Sequence, residues 1–97
     1  MDPNSVMGHY YLGRLHASAG RLSDSEDHFR EALRQNPRST IVLIDLGLIE
    51  EMRQRPEGAA NIYRRVLELD PENPIARERL AGLLIGQQKF NEALEHF

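Results

Sequence analysis

The sequence predicts an all-α fold built of antiparallel helix hairpins stacked side by side. Three observations carry this. Residues of one type recur every 34 positions along the 97-residue chain. Each period is punctuated by residues that start and stop helices. The segments between those breaks lie too close together in sequence for anything except antiparallel packing.

The period shows in several residue classes at once. Pro3, Pro37 and Pro71 are 34 apart, as are Gly13 and Gly47, Leu12, Leu46 and Leu80, Phe29, Tyr63 and Phe97, and Ala59 and Ala93. Agreement of this kind at one spacing is the mark of a repeat architecture. It divides a single domain, residues 1–97, into repeats over about 6–39 and 40–73 and a truncated third over about 74–97.

Taken in order, Asn4-Ser5 caps a first helix running to about Ala19, where Gly20 breaks it. Ser23-x-x-Glu26 reads as a capping box opening a second helix, and Asn36-Pro37 ends that helix. Ser39 caps a third helix over about 40–53. Pro56 stands where a first helical turn tolerates proline, and Asp70-Pro71 stops the fourth helix. Asn73-Pro74 starts a fifth helix to about Gln87, and Asn91 caps a sixth that the chain end cuts at Phe97. Each complete helix is about 14 residues, ~21 Å long.

The core follows from register. Leu12, Leu46 and Leu80 each adjoin a small residue, Gly13, Gly47 or Ala81, so the second helix of each pair approaches closely there. Phe29, Tyr63 and Phe97 supply the ring that fills the crossing, with Ala32 and Leu33, or Val66 and Leu67, on the same seam.

These motifs resemble the tetratricopeptide repeat over nearly the whole chain. His9-x-x-Leu12-Gly13-x-x-His16 with Ser25-x-x-x-Phe29 and Pro37 follows that pattern. So does Leu43-x-x-Leu46-Gly47-x-x-Glu50 with Ala59-x-x-x-Tyr63 and Pro71. Arg77-x-x-Leu80-Ala81-x-x-Leu84 with Ala93-x-x-x-Phe97 is the shortened third. The resemblance implies a right-handed α-solenoid whose first helices line a concave groove. Two family positions differ. The first aromatic is replaced by His9, Leu43 and Arg77 and the tyrosine by His16, Glu50 and Leu84, from which looser seams are expected.

A helical wheel at about 100° per residue sorts the third helix. Leu43, Leu46, Gly47 and Glu50 point to the partner helix. Val42, Ile49 and Arg53 point where a neighbouring repeat lies. Ile41, Ile44, Leu48, Glu51, Met52 and Arg55 point away, with Asp45 at the groove position that follows Ile44. Shifting by one period adds Met7, Tyr10, Tyr11 and Arg14 before, and Ile75, Glu78, Arg79, Gly82 and Ile85 after. Apolar patches larger than roughly a few hundred Å² mark interaction sites. This stripe, with Arg14 and Arg79 near its ends, is the candidate groove for a protein or peptide ligand carrying apolar side chains and an acidic end. Some family members clamp a chaperone's C-terminal carboxylate with lysines and asparagines. The matching positions here are Tyr10, Arg14, Asp45, Ile75 and Arg79, which lose the amides and add a repelling carboxylate, so that specificity is not expected.

Other functions find little support. The 12 basic and 15 acidic residues leave a net charge of −3 with no basic cluster, which argues against nucleic acid. There is no cysteine for disulfides or thiolate chemistry. No signal peptide and no apolar run of membrane-spanning length is present, so a soluble chain without membrane contact is expected; the compartment stays open, the cytoplasm being favoured. His9 and His16 lie two turns apart without a third metal ligand in sequence and read as semi-buried packing residues, while His28 and His96 read as exposed pairs with Asp24 and Glu92. Ser23-Asp24-Ser25-Glu26-Asp27-His28 is a helix start, since neighbours on one turn cannot form a nucleophile-base line. Neither an enzyme nor a cofactor is expected.

Two further expectations concern context. Met1 stands in phase just before the Asp2-Pro3 turn, as in a segment of a longer array, which would make the chain a structural spacer, one attached to an enzyme included. Leu83, Leu84, Leu94 and Phe97 have no following repeat to cover them, from which a homodimer of the chain is expected.

Overall fold

In a computed structural model, residues 6–86 are described and form five α-helices. They are α1 (Val6–Ser18), α2 (Leu22–Gln35), α3 (Thr40–Met52), α4 (Pro56–Leu69) and α5 (Pro74–Gly86), with no strand among the described residues. The Asn4-Ser5 cap, the sixth helix with Asn91, and Ala93, Leu94, His96 and Phe97 lie outside the described residues. Each helix packs on the next in sequence, α1 on α2, α3 on α4, and then hairpin on hairpin through α2 with α3 and α4 with α5.

Helix ends explain the tight hairpins. Gly20 adopts φ +79°, and the Arg21 N–H donates to the His16 carbonyl at 2.8 Å while the Gly20 N–H donates to that of Ala17 at 3.0 Å. This is the left-handed Schellman ending. One period later Gln54 takes φ 60° with the same two bonds, from the Arg55 N–H to the Glu50 carbonyl and from the Gln54 N–H to that of Glu51. Arg21 and Arg55 therefore close one helix and open the next, and Pro56 takes the first position of α4. The expected capping box at Ser23 is not formed. α2 already begins at Leu22, its N-cap is Arg21, and no side chain caps it, because the Schellman turn leads straight into the helix. Between hairpins, where the chain is less constrained, side chains do cap: Ser39 Oγ accepts from the Val42 N–H at 3.4 Å and Asn73 Oδ1 from that of Ala76 at 2.9 Å.

The crossings are set by glycine under a ring. A Cβ on Gly13 would stand 2.6 Å from Phe29 Cε1, and one on Gly47 would stand 2.6 Å from Tyr63 Cε1. At the first crossing buried Ser25 donates its hydroxyl to the Gly13 carbonyl at 2.7 Å. Phe29, Ala32, Val42, Leu46 and Ile49 then seat α3 on α2. Leu43, Ala59, Tyr63, Val66, Ala76, Leu80 and Leu84 seat α5 on α4.

The seams expected to be loose are closed. Leu43 and Leu84 are buried core members, and Leu84 is wholly covered, so it does not belong to an exposed C-terminal face. Glu50 is 3% exposed and its carboxyl hydrogen-bonds Glu26 of α2. Glu26 Oε2 also receives Arg53 at 3.2 Å and Arg55 at 3.0 Å. Burial and the Glu26 contact push Glu50 above the ordinary carboxyl range. The same hydrogen bond, aided by Arg30, Arg53 and Arg55, holds Glu26 below it. The Glu26 and Glu50 carboxyls, with Arg53 and Arg55 on Glu26, thus meet where the two hairpins join.

Candidate functional site

The first helices α1, α3 and α5 lie along one side of the stack and leave open clefts between them. The cleft between α1 and α3 has a volume of about 180 Å³ and is walled by Ala17, Phe29, Leu48, Ile49 and Met52, with Arg14 and Asp45 as its charged groups. Four of the predicted groove residues, Arg14, Asp45, Leu48 and Met52, meet here. Tyr10 stands at its α1 side, with the Arg14 guanidinium over its ring at 5.7 Å and Phe29 at 6.0 Å between centroids. Burial, and then the Asp45 carboxylate that its hydroxyl reaches, raises the Tyr10 phenol above its ordinary range. Asp45 Oδ2 is buried without a hydrogen-bond partner.

The cleft between α3 and α5, about 410 Å³, is lined by Glu51, Glu78, Arg79, Gly82 and Leu83. Arg79 is not a free cation here. Its Nε and Nη2 bind both oxygens of Glu51 at 2.9 and 2.6 Å, and Tyr63 donates to Glu51 Oε2 at 2.6 Å. Burial first, then Glu51, pushes the Tyr63 phenol far up, and the Glu51 hydrogen bonds raise Arg79. Arg79, one of the two cations expected near an acidic ligand end, is thus paired within the chain, and Arg14, over Tyr10, is the cation of the α1–α3 cleft.

Of the other predicted residues, Met7, Ile41, Ile75 and Ile85 are exposed but border neither cleft. Tyr11 lines a separate hollow on α1 with Arg14, Leu15 and Ser18. Ile44 is half-buried against the second core cluster. Ala17, Ser18, Leu15 and Leu83 were not read as cleft residues. Ala17 and Ser18 lie three and four positions after Arg14, so extending the stripe by one turn finds them.

The histidines gather more closely than their spacing indicates. His28, expected to be an exposed partner of Asp24, instead lies half-buried against α1: its Nδ1 is 3.1 Å from Nδ1 of His9, and its ring stacks on His16 at 5.2 Å with 7° between planes. Among the described residues no three or more histidine, aspartate or glutamate side chains are arranged to hold a metal ion. Ser25 gives its hydroxyl to a backbone carbonyl and His28 faces other imidazoles, so the acidic segment offers no activated nucleophile. No helix of the described residues is long and apolar enough to cross a membrane.

Comparison with known proteins gives the same architecture. One tetratricopeptide-repeat family model matches residues 1–40 and 10–74, and another matches residues 52–97. A protein O-mannosyl-transferase of Caenorhabditis elegans is 32% identical over 81 residues, which are 84% of this chain and 12% of that protein. Anaphase-promoting complex subunit 3 of Schizosaccharomyces pombe is 29% identical over 85 residues, 88% of this chain and 13% of that protein. The chain spans about an eighth of the length of these curated relatives. Among solved structures, the crystal structure of MamA matches with a TM-score of 0.93 over 99% of this chain and 56% of that one, at 20% identity, which speaks for the fold. The period, the ring-over-glycine crossings and the family models agree that this chain belongs to the tetratricopeptide-repeat family.

Proposed function

We propose that the chain is a protein-interaction module that receives a partner peptide along its first helices and performs no chemistry of its own. The observation that supports this most directly is the α1–α3 cleft, where apolar Ala17, Leu48, Ile49 and Met52 surround Arg14 and Asp45. Apolar walls with a few placed polar groups are the usual make-up of a recognition site. Ile41 of α3 and Ile75 and Ile85 of α5 are further exposed apolar residues on the first helices. The peptide this fits carries an apolar side chain for the cleft and an acidic group beside it for Arg14. The transferase activity in the name of the Caenorhabditis elegans relative belongs to that protein, of which this chain matches only a part.

A randomised peptide array tests the reading, with the full chain compared to Met52→Asp and Arg14→Glu. Both positions are exposed, so helicity should be unchanged. Ile44→Asp is a poorer probe because Ile44 packs on the core. Peptides held by the wild type and lost by both variants are expected. Capture that neither substitution alters would remove the cleft from consideration.

A second reading, a stacking segment within a longer array, has its own observation. Leu15 is 64% exposed, whereas Ile49, one period on, is 3% exposed beneath α2. A helix laid on α1 as α2 lies on α3 would cover Leu15, whether it came from a neighbouring repeat or from a second copy.

A further inference from the structure

Three imidazoles occupy the seam between α1 and α2. His9 and His28 approach Nδ1 to Nδ1 at 3.1 Å, with ring centroids 5.4 Å apart. His16 lies flat on His28 on the other side. Hydrogen bonding dictates their charge. Arg21 Nε donates to His16 Nδ1 at 2.9 Å, so that nitrogen carries no proton and the His16 ring is neutral. Between His9 and His28 one Nδ1 must donate and the other accept, so at least one of these rings is neutral as well. His9 Nε2 is buried with no partner, and an added proton there would be an N–H cut off from water.

We propose that this stack is a proton-operated latch on the first hairpin: neutral imidazoles hold α1 against α2, and mild acid releases it. Each added proton removes an acceptor from the network and sets a cation against a stacked neighbour. The groups facing His28 are His9 and His16 from α1, and Asp24 and Asp27 from its own helix. Arg21 reaches the stack through His16. The two aspartates favour the cation, yet burial and then the two facing imidazoles prevail and hold His28 below the ordinary histidine range.

The sign is fixed by that direction. A histidine lowered in the folded state binds protons more readily when unfolded, so hairpin stability is full above the ordinary value of about 6.5 and declines as pH falls toward the lowered one. The carboxyl of Glu50, being raised, changes in the opposite sense over acidification. Glu26, being lowered, loses its contribution only below the ordinary carboxyl range, so the loss at mild acid belongs to α1 and α2 rather than to the hairpin junction. Local opening of one helix pair is a recognised unit of partial unfolding.

The experiment measures the full chain by NMR. Imidazole Cε1–H shifts are followed through the pH range, and amide protection factors are compared at pH 7.5 and 5.5. A His28 midpoint below about 6.5 is expected, together with a loss of protection in α1 at pH 5.5 relative to pH 7.5. Protection in α4 should stay level. His28→Phe should abolish the α1 loss. If that variant fails to fold, the wild-type titration decides alone. A His28 midpoint at or above about 6.5, equal losses in α1 and α4, or a folded His28→Phe variant that keeps the loss would overturn the proposal.

Discussion

Replacing Gly47 by alanine puts one methyl group into the tightest contact of the second hairpin. Its Cβ would lie 2.6 Å from Tyr63 Cε1, 2.8 Å from Cζ and 3.1 Å from the hydroxyl oxygen. Ordinary carbon contacts lie at about 3.5–4.0 Å, so the ring must retreat by about 1 Å. Overpacking of this kind costs about 1–3 kcal/mol, while alanine returns about 1 kcal/mol of helix propensity. Gly13→Ala meets the same clash, 2.6 Å from Phe29 Cε1 and 2.7 Å from Cδ1, and these terms alone predict a loss of about 1 kcal/mol for it. Tyr63 is held further. Its hydroxyl donates at 2.6 Å to Glu51, which Arg79 grips from the other side, and a hydrogen bond to a charged group contributes about 1.5–3 kcal/mol. Gly47→Ala should therefore cost about 3 kcal/mol. Urea unfolding followed by circular dichroism measures both. In a Tyr63→Phe background the extra cost should vanish, leaving a coupling of about 2 kcal/mol. Equal losses for the two glycines, or no coupling to Tyr63, would refute the view that the Glu51–Arg79 pair fixes this ring.

Gln54→Gly should raise stability by about 1 kcal/mol, since Gln54 holds the left-handed conformation that Gly20 holds in the first hairpin; thermal unfolding reads it, and a loss would show that the glutamine side chain stabilises the turn. Glu50→Gln, which supplies an N–H where the raised Glu50 carboxyl supplies an O–H to Glu26, should flatten the pH dependence of that junction. The wild type loses stability relative to the variant as pH rises through the raised Glu50 value, because a raised acid stabilises below its ordinary range and ceases to do so above; denaturant titrations at several pH values check the sign. With Leu15 uncovered on α1, sedimentation should find a dimer that Leu15→Lys returns to monomer.

The fold was legible because it rests on residues whose roles repeat. Leu46, Gly47 and Tyr63 could be placed by their one-period shifts from Leu12, Gly13 and Phe29, and all three are buried, whereas Leu12, expected in the core with Leu46 and Leu80, is 37% exposed. The cleft was legible in part for the same reason: one helix face carries Arg14, and the next carries Asp45, Leu48 and Met52. What the pattern could not supply was which charged side chains find one another. Arg79 and Glu51 are 28 positions apart, and Arg55 and Glu26 are 29 apart. Neither separation is the period or a helical spacing, so no one-dimensional rule brings them together. His28 was misplaced because its neighbour in sequence, Asp24, obeys the one-turn rule, whereas burial against two imidazoles on another helix decides its position.

His16, Glu50 and Leu84 occupy one repeat position in three successive periods and solve its packing with three chemistries. His16 stacks on His28, Glu50 meets the Glu26 carboxyl, and Leu84 packs into an apolar cluster. The period fixes where these side chains meet and leaves open what holds them. The ring over the glycine at Gly13 and Gly47 already sets the helix spacing, so the neighbouring position is free to carry ionisable groups without loss of the fold. In this chain it does so only in the first hairpin and at the junction with the second. Acid should therefore act unevenly along the array, on α1 and α2, while the Leu80 and Leu84 end stays unaffected. The α1–α3 cleft lies in the sensitive half. A ligand bound there would be coupled to protons by position alone, through the stability of the helix that supplies Arg14.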